Sequence, residues 1–130
     1  MRFRYVEQLD PPAPFVQVTL RCPTTGTRAV NLPAQVDSAA DRTVLPGSVV
    51  AALGLVEDGR AHFQGFAGEV VELPLFLIEV QVHDLPAVFT RAVLGPAEPH
   101  ILLGRDVLNR HRTVLDGPQL LVDIEGPTTG

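Results

Sequence analysis

The part of this sequence most suited to chemistry is a short loop that carries two carboxylates. Asp37 ends an apolar segment, and the next four residues are Ser38, Ala39, Ala40 and Asp41. A carboxylate at such a position can accept or release a proton while a bond is cleaved, so the loop is a candidate for hydrolytic acid–base chemistry. The structural alternative is a plain turn, because Asp-Ser pairs are common where strands end.

Other patterns that carry chemistry do not occur in the sequence. Ser38 lacks the Gly-x-Ser-x-Gly surroundings of a serine nucleophile. Glycines within residues 65–68 belong to a hairpin pattern with no lysine after it, which does not indicate a phosphate loop. The histidines do not have the spacing of metal ligands, and we interpret them as solvated or partly packed; they are His62, His83, His100 and His111. We therefore expect no metal and no cofactor.

Composition favours a single domain and argues against several classes of partner. The chain has 130 residues, 45% of them hydrophobic, and a net charge of −5, which is enough for one core. The basic residues are all arginines and form no run, which argues against nucleic acid. Its apolar stretches are too short to cross a bilayer, the N-terminus has no apolar signal core, and the lone Cys22 excludes an internal disulfide. We expect a cytoplasmic protein with no membrane partner.

The spacing of turn residues predicts many short strands. Twelve prolines and eleven glycines interrupt the chain at short intervals. We expect an extended leader over 1–14, a domain over 15–124 and a tail over 125–130. Strands or hairpins are predicted over 15–22, 28–36, 62–73, 75–82, 87–93, 101–103, 113–115 and 120–122. Short helices are predicted over 48–53, opened by Pro46, and over 106–111. The fold class is therefore an all-β, barrel-like domain with one or two short helices.

Several motifs follow the loop in a fixed order that resembles the retropepsin-like aspartic protease family. The loop resembles that family's Asp-Thr/Ser-Gly-Ala active-site loop and, like it, ends in Thr-Val-Leu, here residues 43–45. The further motifs are a flap with Gly65 and Gly68, a strand over 77–80, the run Val93-Leu94-Gly95-Pro96, and the segment from Leu102 to Leu108. The resemblance covers roughly residues 16–122, and the closing hairpin over 113–122 is more similar to the cellular members. It implies a closed retropepsin-like barrel of short strands with a glycine-containing flap hairpin.

The resemblance also implies an activity, that of an aspartic endopeptidase. In that family two carboxylates share a proton, one activating water and the other polarising the scissile carbonyl. This chain has one such loop, since no other aspartate is followed by a Ser-small-small pattern. The second carboxylate must then be Asp37 of another copy, which implies a homodimer about a two-fold axis, acting on a peptide or protein substrate.

Residues near Asp37 receive roles from the same resemblance. Ser38 would bond across the dimer to the opposite loop, with Ala39 and Ala40 completing the loop. Asp41 would hold the substrate backbone and form a structural ion pair with Arg105.

Pocket and flap residues are assigned in the same way. Val44 and Leu102 would line apolar side-chain pockets. The flap tip would close over an extended peptide and hydrogen-bond to its main chain. Its residues are Gly65, Phe66, Ala67 and Gly68.

Ala39 departs from the family, which has glycine at this position. Alanine keeps the backbone N–H and carbonyl but adds a Cβ that could crowd the substrate or the twin loop. With a negative φ the methyl group would cause little backbone strain, whereas with a positive φ it would strain the loop by about 1–3 kcal/mol. Two hypotheses follow: an active endopeptidase, or an inactive dimerisation or peptide-binding module with the same groove. A third is a monomeric barrel that binds a small ligand and gives Asp37 no catalytic role.

Overall fold

The computed structural model describes residues 1–65 and 67–127, and within them the chain forms ten strands and two short helices. In chain order they are β1 (Arg2–Arg4), β2 (Phe15–Arg21), β3 (Arg28–Val36), β4 (Val44–Pro46), α1 (Gly47–Leu53), β5 (Glu57–Gln64), β6 (Val70–Val82), β7 (Val88–Gly95), β8 (Ile101–Leu103), α2 (Arg105–Leu108), β9 (Arg112–Asp116) and β10 (Leu121–Glu125). The predicted all-β class with two short helices is confirmed. Neither helix in these ranges is long and apolar enough to cross a membrane.

Six of the strands close into a mixed barrel. Hydrogen bonding follows the order β2, β3, β8, β4, β7, β6, and β6 pairs back with β2 from Val18↔Val82 to Arg21↔Glu79. Closure of this ring removes the free edges that an open sheet would leave. β5 lies outside the ring and pairs with β6.

Alternating apolar side chains fill the barrel. Val16, Val18 and Leu20 on β2 are at most 1% exposed, and Val80 and Val82 on β6 are fully buried. Successive side chains of a strand point to opposite faces. Because apolar residues alternate with others along β2 and β6, one face of each of these strands points into the core. The core thereby fixes the strand ends from which the loops extend.

Two parallel strand pairings in the barrel sheet position the candidate loop. β3 runs parallel to β8, β4 runs parallel to β7, and β4 also meets β8 in antiparallel fashion at Val44↔Leu102. The connection from β3 to β4, residues 37–43, therefore leaves the sheet beside the connection from β8 to α2. Residues that are distant in sequence, such as Ser38 and Arg105, come into direct contact there.

The two helices begin and end close to the predicted residues. α1 starts at Gly47, with Pro46 as its N-cap rather than its first helical residue, and Gly54 ends it in the left-handed conformation with φ of 60°. α2 ends at Leu108, earlier than the predicted His111. The reason is a tightening of the chain, because the N–H groups of Arg110 and His111 bond three residues back, to Val107 and Leu108.

The flap hairpin is longer than the sequence pattern indicates. β5 and β6 pair from Glu57↔Phe76 to Gln64↔Val70, and β6 continues as a single strand through Pro74, where we predicted a break between two strands. Between Glu57 and Arg60 the register shifts by one residue, so the ladder has a bulge at this point. The bulge lies between the pairs Glu57↔Phe76 and Arg60↔Pro74, so it is next to Pro74, a residue with no N–H to donate to the ladder.

A small second sheet joins the two ends of the chain in the order β1, β10, β9. Residues 1–14, which we expected to form a leader before the domain, contribute β1 to this sheet, and Phe3 pairs with Val122. Phe3 and Tyr5 pack against the core, so the segment is part of the domain rather than separate from it. Of the predicted tail, residues 128–130 lie outside the described residues.

Candidate active site

Asp37 begins the loop in a turn that its own carboxylate helps to form. It follows the last residue of β3, and its backbone N–H donates to the carbonyl of Leu103 on β8 at 3.1 Å. Asp37 Oδ1 accepts the N–H of Ala39 at 3.1 Å, and the Asp37 carbonyl accepts the N–H of Ala40 at 3.2 Å. The half-buried carboxylate therefore lies directly after β3, with Oδ1 turned towards its own loop.

Arg105 supports the loop from the start of α2, but not in the way that we predicted. Its guanidinium Nη1 donates to the carbonyl of Ser38 at 2.7 Å, and its backbone N–H donates to the carbonyl of Ala40 at 2.9 Å. The predicted ion pair between Asp41 and Arg105 is not formed among the described residues, and the Asp41 side chain is exposed. A carbonyl oxygen takes the place of the carboxylate as the acceptor.

Asp106 supports the other end of the loop, a role that was not predicted from the sequence. Asp106 Oδ2 accepts the backbone N–H of Thr43 at 3.0 Å and the hydroxyl of Thr90 at 2.8 Å, while Oδ1 accepts the hydroxyl of Thr43 at 2.8 Å. Thr43 is fully buried, and its Oγ1 in turn accepts the N–H of Gly104 at 3.2 Å. This network connects the loop, β7 and α2 through one side chain.

Gly104 allows the two connections to approach each other closely. A Cβ at this position would lie 2.5 Å from both the carbonyl carbon and the carbonyl oxygen of Arg42, and 2.8 Å from the nitrogen of Thr43. All three atoms belong to the backbone and cannot turn aside, so only glycine fits without moving the loop. The glycine of the Gly104-Arg105 motif thus has a steric origin.

The backbone at Ala39 is compatible with a side chain. The non-glycine residues with positive φ in the described ranges are Asn31, His83 and Leu120, so Ala39 does not adopt the strained conformation considered above. Its side chain is exposed, as is that of Ser38. Within one copy of the chain, the methyl group therefore brings neither backbone strain nor a clash.

Two of the predicted pocket residues are neighbours in the sheet. Val44 and Leu102 are register partners across β4 and β8, and both are partly exposed. Val44 comes directly after the loop, and Leu102 comes directly before Leu103, whose carbonyl accepts the N–H of Asp37. Their position beside Asp37 is consistent with the predicted role as pocket walls, which stays a prediction.

The flap tip is a tight turn at the far end of the hairpin. Gly65 N–H donates to the carbonyl of Glu69 at 2.8 Å, and Gly68 N–H donates to the carbonyl of Gly65 at 3.1 Å. Gly68 has a φ of 87°, which favours glycine there, and Ala67 and Gly68 are exposed. Phe66, the fourth predicted tip residue, lies outside the described residues.

A cavity of about 330 Å³ lies beside the loop and is lined by Ser38, His111 and Leu115 among others. Both ring nitrogens of His111 and the hydroxyl of Thr113 are enclosed without a hydrogen-bond partner in the described structure. Burial lowers the pKa of His111, because the surroundings disfavour its charged form. In the same ranges no three histidine, cysteine or carboxylate side chains are grouped as metal ligands.

Comparison with solved structures identifies the fold. The chain is similar to a retropepsin-like aspartic protease from Rickettsia conorii, with a TM-score of 0.64 and 12% identity over 98% of this chain and 92% of that one. It is also similar to the retroviral protease-like domain of Ddi1 from Leishmania major, with a TM-score of 0.55 and 17% identity over 87% and 88% of the two chains. EIAV protease, solved with the inhibitor HBY-793, matches with a TM-score of 0.54 and 22% identity over 75% and 86%.

Sequence comparison alone finds no relative: no protein-family model and no curated protein matches the chain. At these levels of identity the structural matches define the fold, which is that of the retropepsin-like aspartic proteases. The resemblance seen in the motifs is therefore confirmed at the level of three-dimensional structure.

Proposed function

We propose that this protein is a homodimeric aspartic endopeptidase in which Asp37 of each copy contributes one carboxylate to a shared catalytic pair. The observation that carries the proposal is the position of Asp37 on a loop held by Leu103, Arg105 and Asp106, in a barrel with the retropepsin-like fold. The two carboxylates would share one proton, because like charges at close range cannot both ionise.

The chemistry needs only water and the two carboxylates. The ionised Asp37 takes a proton from a water molecule while the oxygen of that water attacks the scissile carbonyl carbon. The protonated Asp37 of the other copy gives its proton to the carbonyl oxygen. The resulting gem-diol collapses when the first carboxyl returns its proton to the amide nitrogen. As the C–N bond breaks, one hydroxyl of the gem-diol gives its proton to the ionised Asp37 of the other copy. The products are a carboxylic acid and an amine, and the pair again holds one shared proton.

The face that would meet the second copy is the edge strand β9. In the described structure β9 pairs with β10 on one side, and its other side carries no strand. Val114 and Leu115 on this strand are 38% and 50% exposed, an arrangement that favours pairing with another chain. Leu115 and Ser38 line the same cavity, so a copy seated on β9 would also approach the loop of Asp37.

A test is cleavage of a mixed peptide library at high protein concentration, between acid and neutral pH. We expect wild-type protein to cleave and Asp37→Asn to be inactive with an unchanged melting temperature. Asp84→Asn is the matched control, because its side chain is 76% exposed on a turn outside the loop, and it should cleave like wild type.

Ala39→Gly completes the experiment. Since the backbone at Ala39 has no positive φ, we expect this variant to cleave at a rate similar to wild type. Cleavage by Ala39→Gly alone would mean that the methyl group blocks the assembled site and that the natural chain is a binding module. If neither wild type nor any variant cleaves the peptides, the peptidase proposal is contradicted.

A further inference from the structure

The structure contains a physical connection between the candidate loop and the flap hairpin. It passes through one residue of β7, Arg91. The backbone carbonyl of Arg91 accepts a hydrogen bond from Nη1 of Arg42, a loop residue, at 3.2 Å. The side chain of Arg91 extends in the other direction, and its Nε lies 2.8 Å from Oδ2 of Asp58 on β5, the first strand of the flap.

This ion pair crosses a strand. The sheet order is β7, β6, β5, so β6 lies between the two residues and no backbone hydrogen bond joins β7 to β5. On β6 itself, Arg91 faces Leu77 in the register. Asp58 and Arg91 therefore tie the outermost strand, which lies outside the barrel, to a strand that belongs to it.

The β-bulge explains how Asp58 reaches so far. β5 has one more residue than β6 between the pairs Glu57↔Phe76 and Arg60↔Pro74. Gly59 within the bulge has a φ of 96°, a conformation that other residues rarely adopt. Bulges redirect side chains relative to the regular alternation of a strand, and here the redirected side chain is a carboxylate aimed at β7.

The loop end of the connection is fixed. Thr43, next to Arg42, is held by Asp106, and its carbonyl accepts the N–H of Val93 on β7 at 2.9 Å. Arg42 itself packs its backbone against Gly104. The stretch from Arg91 to Val93 is thus anchored to the loop, and Arg91 extends this anchor to the flap.

The pair acts mainly through charge. Asp58 Oδ2 is enclosed, yet within the described structure it has no aligned hydrogen-bond donor, so its contact with Arg91 is an ion pair rather than a well-oriented hydrogen bond. A salt-sensitive attraction of this kind can hold a hairpin in position without locking it.

We propose that Asp58 and Arg91 form a latch that sets the position of the flap relative to the loop of Asp37, and that Arg91 is a positioning residue for substrate binding. The role in substrate binding rests on the proposed peptidase function, whereas the mechanical connection does not. Loss of either charge should loosen the flap and weaken binding of an extended peptide, because the flap would supply main-chain hydrogen bonds to it.

The first measurement is amide hydrogen exchange over β5 and the flap part of β6, residues 70–74, for wild type, Asp58→Asn and Arg91→Gln. We expect exchange to be about twofold to fivefold faster in each variant, the range that corresponds to loss of a partly exposed ion pair. The double variant should exchange no faster than either single variant, and the charge swap Asp58→Arg with Arg91→Asp should recover part of the protection. High salt should bring wild type towards the variants.

Arg21→Gln is the matched control. Arg21 pairs with Glu79 at 3.2 Å, at similar exposure, but between β2 and β6 of the barrel. We expect no change of exchange in the flap. Equal exchange in wild type and both latch variants, or additive effects in the double variant, would overturn the latch.

Peptide cleavage provides the second measurement and separates the two proposals. With an active enzyme, the latch variants should raise KM about twofold to fivefold and change kcat less. An unchanged KM would overturn the role of Arg91 in substrate binding. If no variant cleaves but flap exchange responds as expected, the latch stands and the peptidase proposal fails.

Discussion

The carboxylate of Asp106 binds both the backbone and the side chain of Thr43. One carboxylate oxygen accepts the N–H of Thr43 at 3.0 Å and the other accepts its hydroxyl at 2.8 Å. Thr43 is the buried polar residue at the end of the loop that begins with Asp37, so this contact fixes the end of the loop opposite the carboxylate. Removing one side of such a contact leaves buried groups without partners, which is where large destabilisation arises.

We therefore expect Asp106→Ala to lower the free energy of unfolding by about 2–4 kcal/mol, since the N–H and hydroxyl of Thr43 lose their acceptors. Urea denaturation measures this change. Asp123→Ala is the control, because Asp123 pairs with the exposed Arg2 at 3.1 Å and should cost less than about 1 kcal/mol. Equal losses for the two variants would contradict the role assigned to Asp106.

Gly104→Ala should destabilise the protein by about 2 kcal/mol or more, because the new Cβ would overlap backbone atoms of Arg42 and Thr43. The matched variant is Gly117→Ala, whose Cβ would have no atom within 4 Å and whose φ is not positive. Thermal unfolding of both variants is a direct comparison. A stable Gly104→Ala protein would show that the loop can move away from α2.

Arg105→Ala removes the hydrogen bond to the carbonyl of Ser38. Arg105 is exposed, so we expect a loss of stability of no more than about 1 kcal/mol. The loop would be less well held, and kcat/KM should fall about tenfold, equivalent to ~1.4 kcal/mol. Asp41→Asn should leave the melting temperature unchanged, because Asp41 does not pair with Arg105. An equal loss of stability in both variants would instead support the ion pair between Asp41 and Arg105 that we predicted from the sequence.

His111 predicts how stability depends on pH. Burial lowers the pKa of His111 from its ordinary value of 6.5 in the folded chain. Below about pH 6.5 the unfolded chain therefore binds a proton that the folded chain does not yet bind, so stability falls as the pH decreases through this value and towards the lowered pKa. We expect His111→Phe to reduce the decline in melting temperature between about pH 7.5 and 5.5. The exposed His62 serves as the control in His62→Gln, and parallel curves for wild type and His111→Phe would contradict the assignment.

Leu115→Glu tests the proposed dimer face. Leu115 is half exposed on the edge strand, so the glutamate should not disturb the folded monomer, but it should weaken self-association by at least about tenfold by placing a charge in the interface. Val30→Glu is the matched control, since Val30 is 57% exposed on β3. Sedimentation equilibrium of the three proteins measures the effect. The same dissociation constant for all of them would exclude β9 as the interface.

The sequence was sufficient to predict the short strands and the candidate loop because both depend on local patterns, whereas closure of the barrel was implied by the family resemblance. The alternation in β2 and β6 marks their buried faces, and the run from Asp37 to Thr43 lies within one connection. Helix α1 was predicted closely for the same reason, since Gly54 stops it by its own left-handed conformation.

Several side-chain contacts between residues that are distant in sequence were not predicted. Asp106 lies 63 residues from Thr43 and 16 from Thr90, and no local pattern indicates that both would turn towards it. The choice of Ser38 rather than Asp41 as the partner of Arg105 is likewise decided by which acceptor the packed chain places within reach. β1 was missed because three residues, Arg2 to Arg4, are too short for periodicity to be visible.

The pairing of β3 with β8 has a consequence for the order in which the protein folds. Ser38 and Arg105 are separated by 67 residues, so the contacts that shape the loop require closure of a long segment of chain. Contacts of this kind form slowly, because the entropy of closure is lost before the contact stabilises the structure. A nascent or half-folded chain would therefore carry Asp37 on an unsupported loop, and any chemistry of this carboxylate would begin only once the barrel is complete.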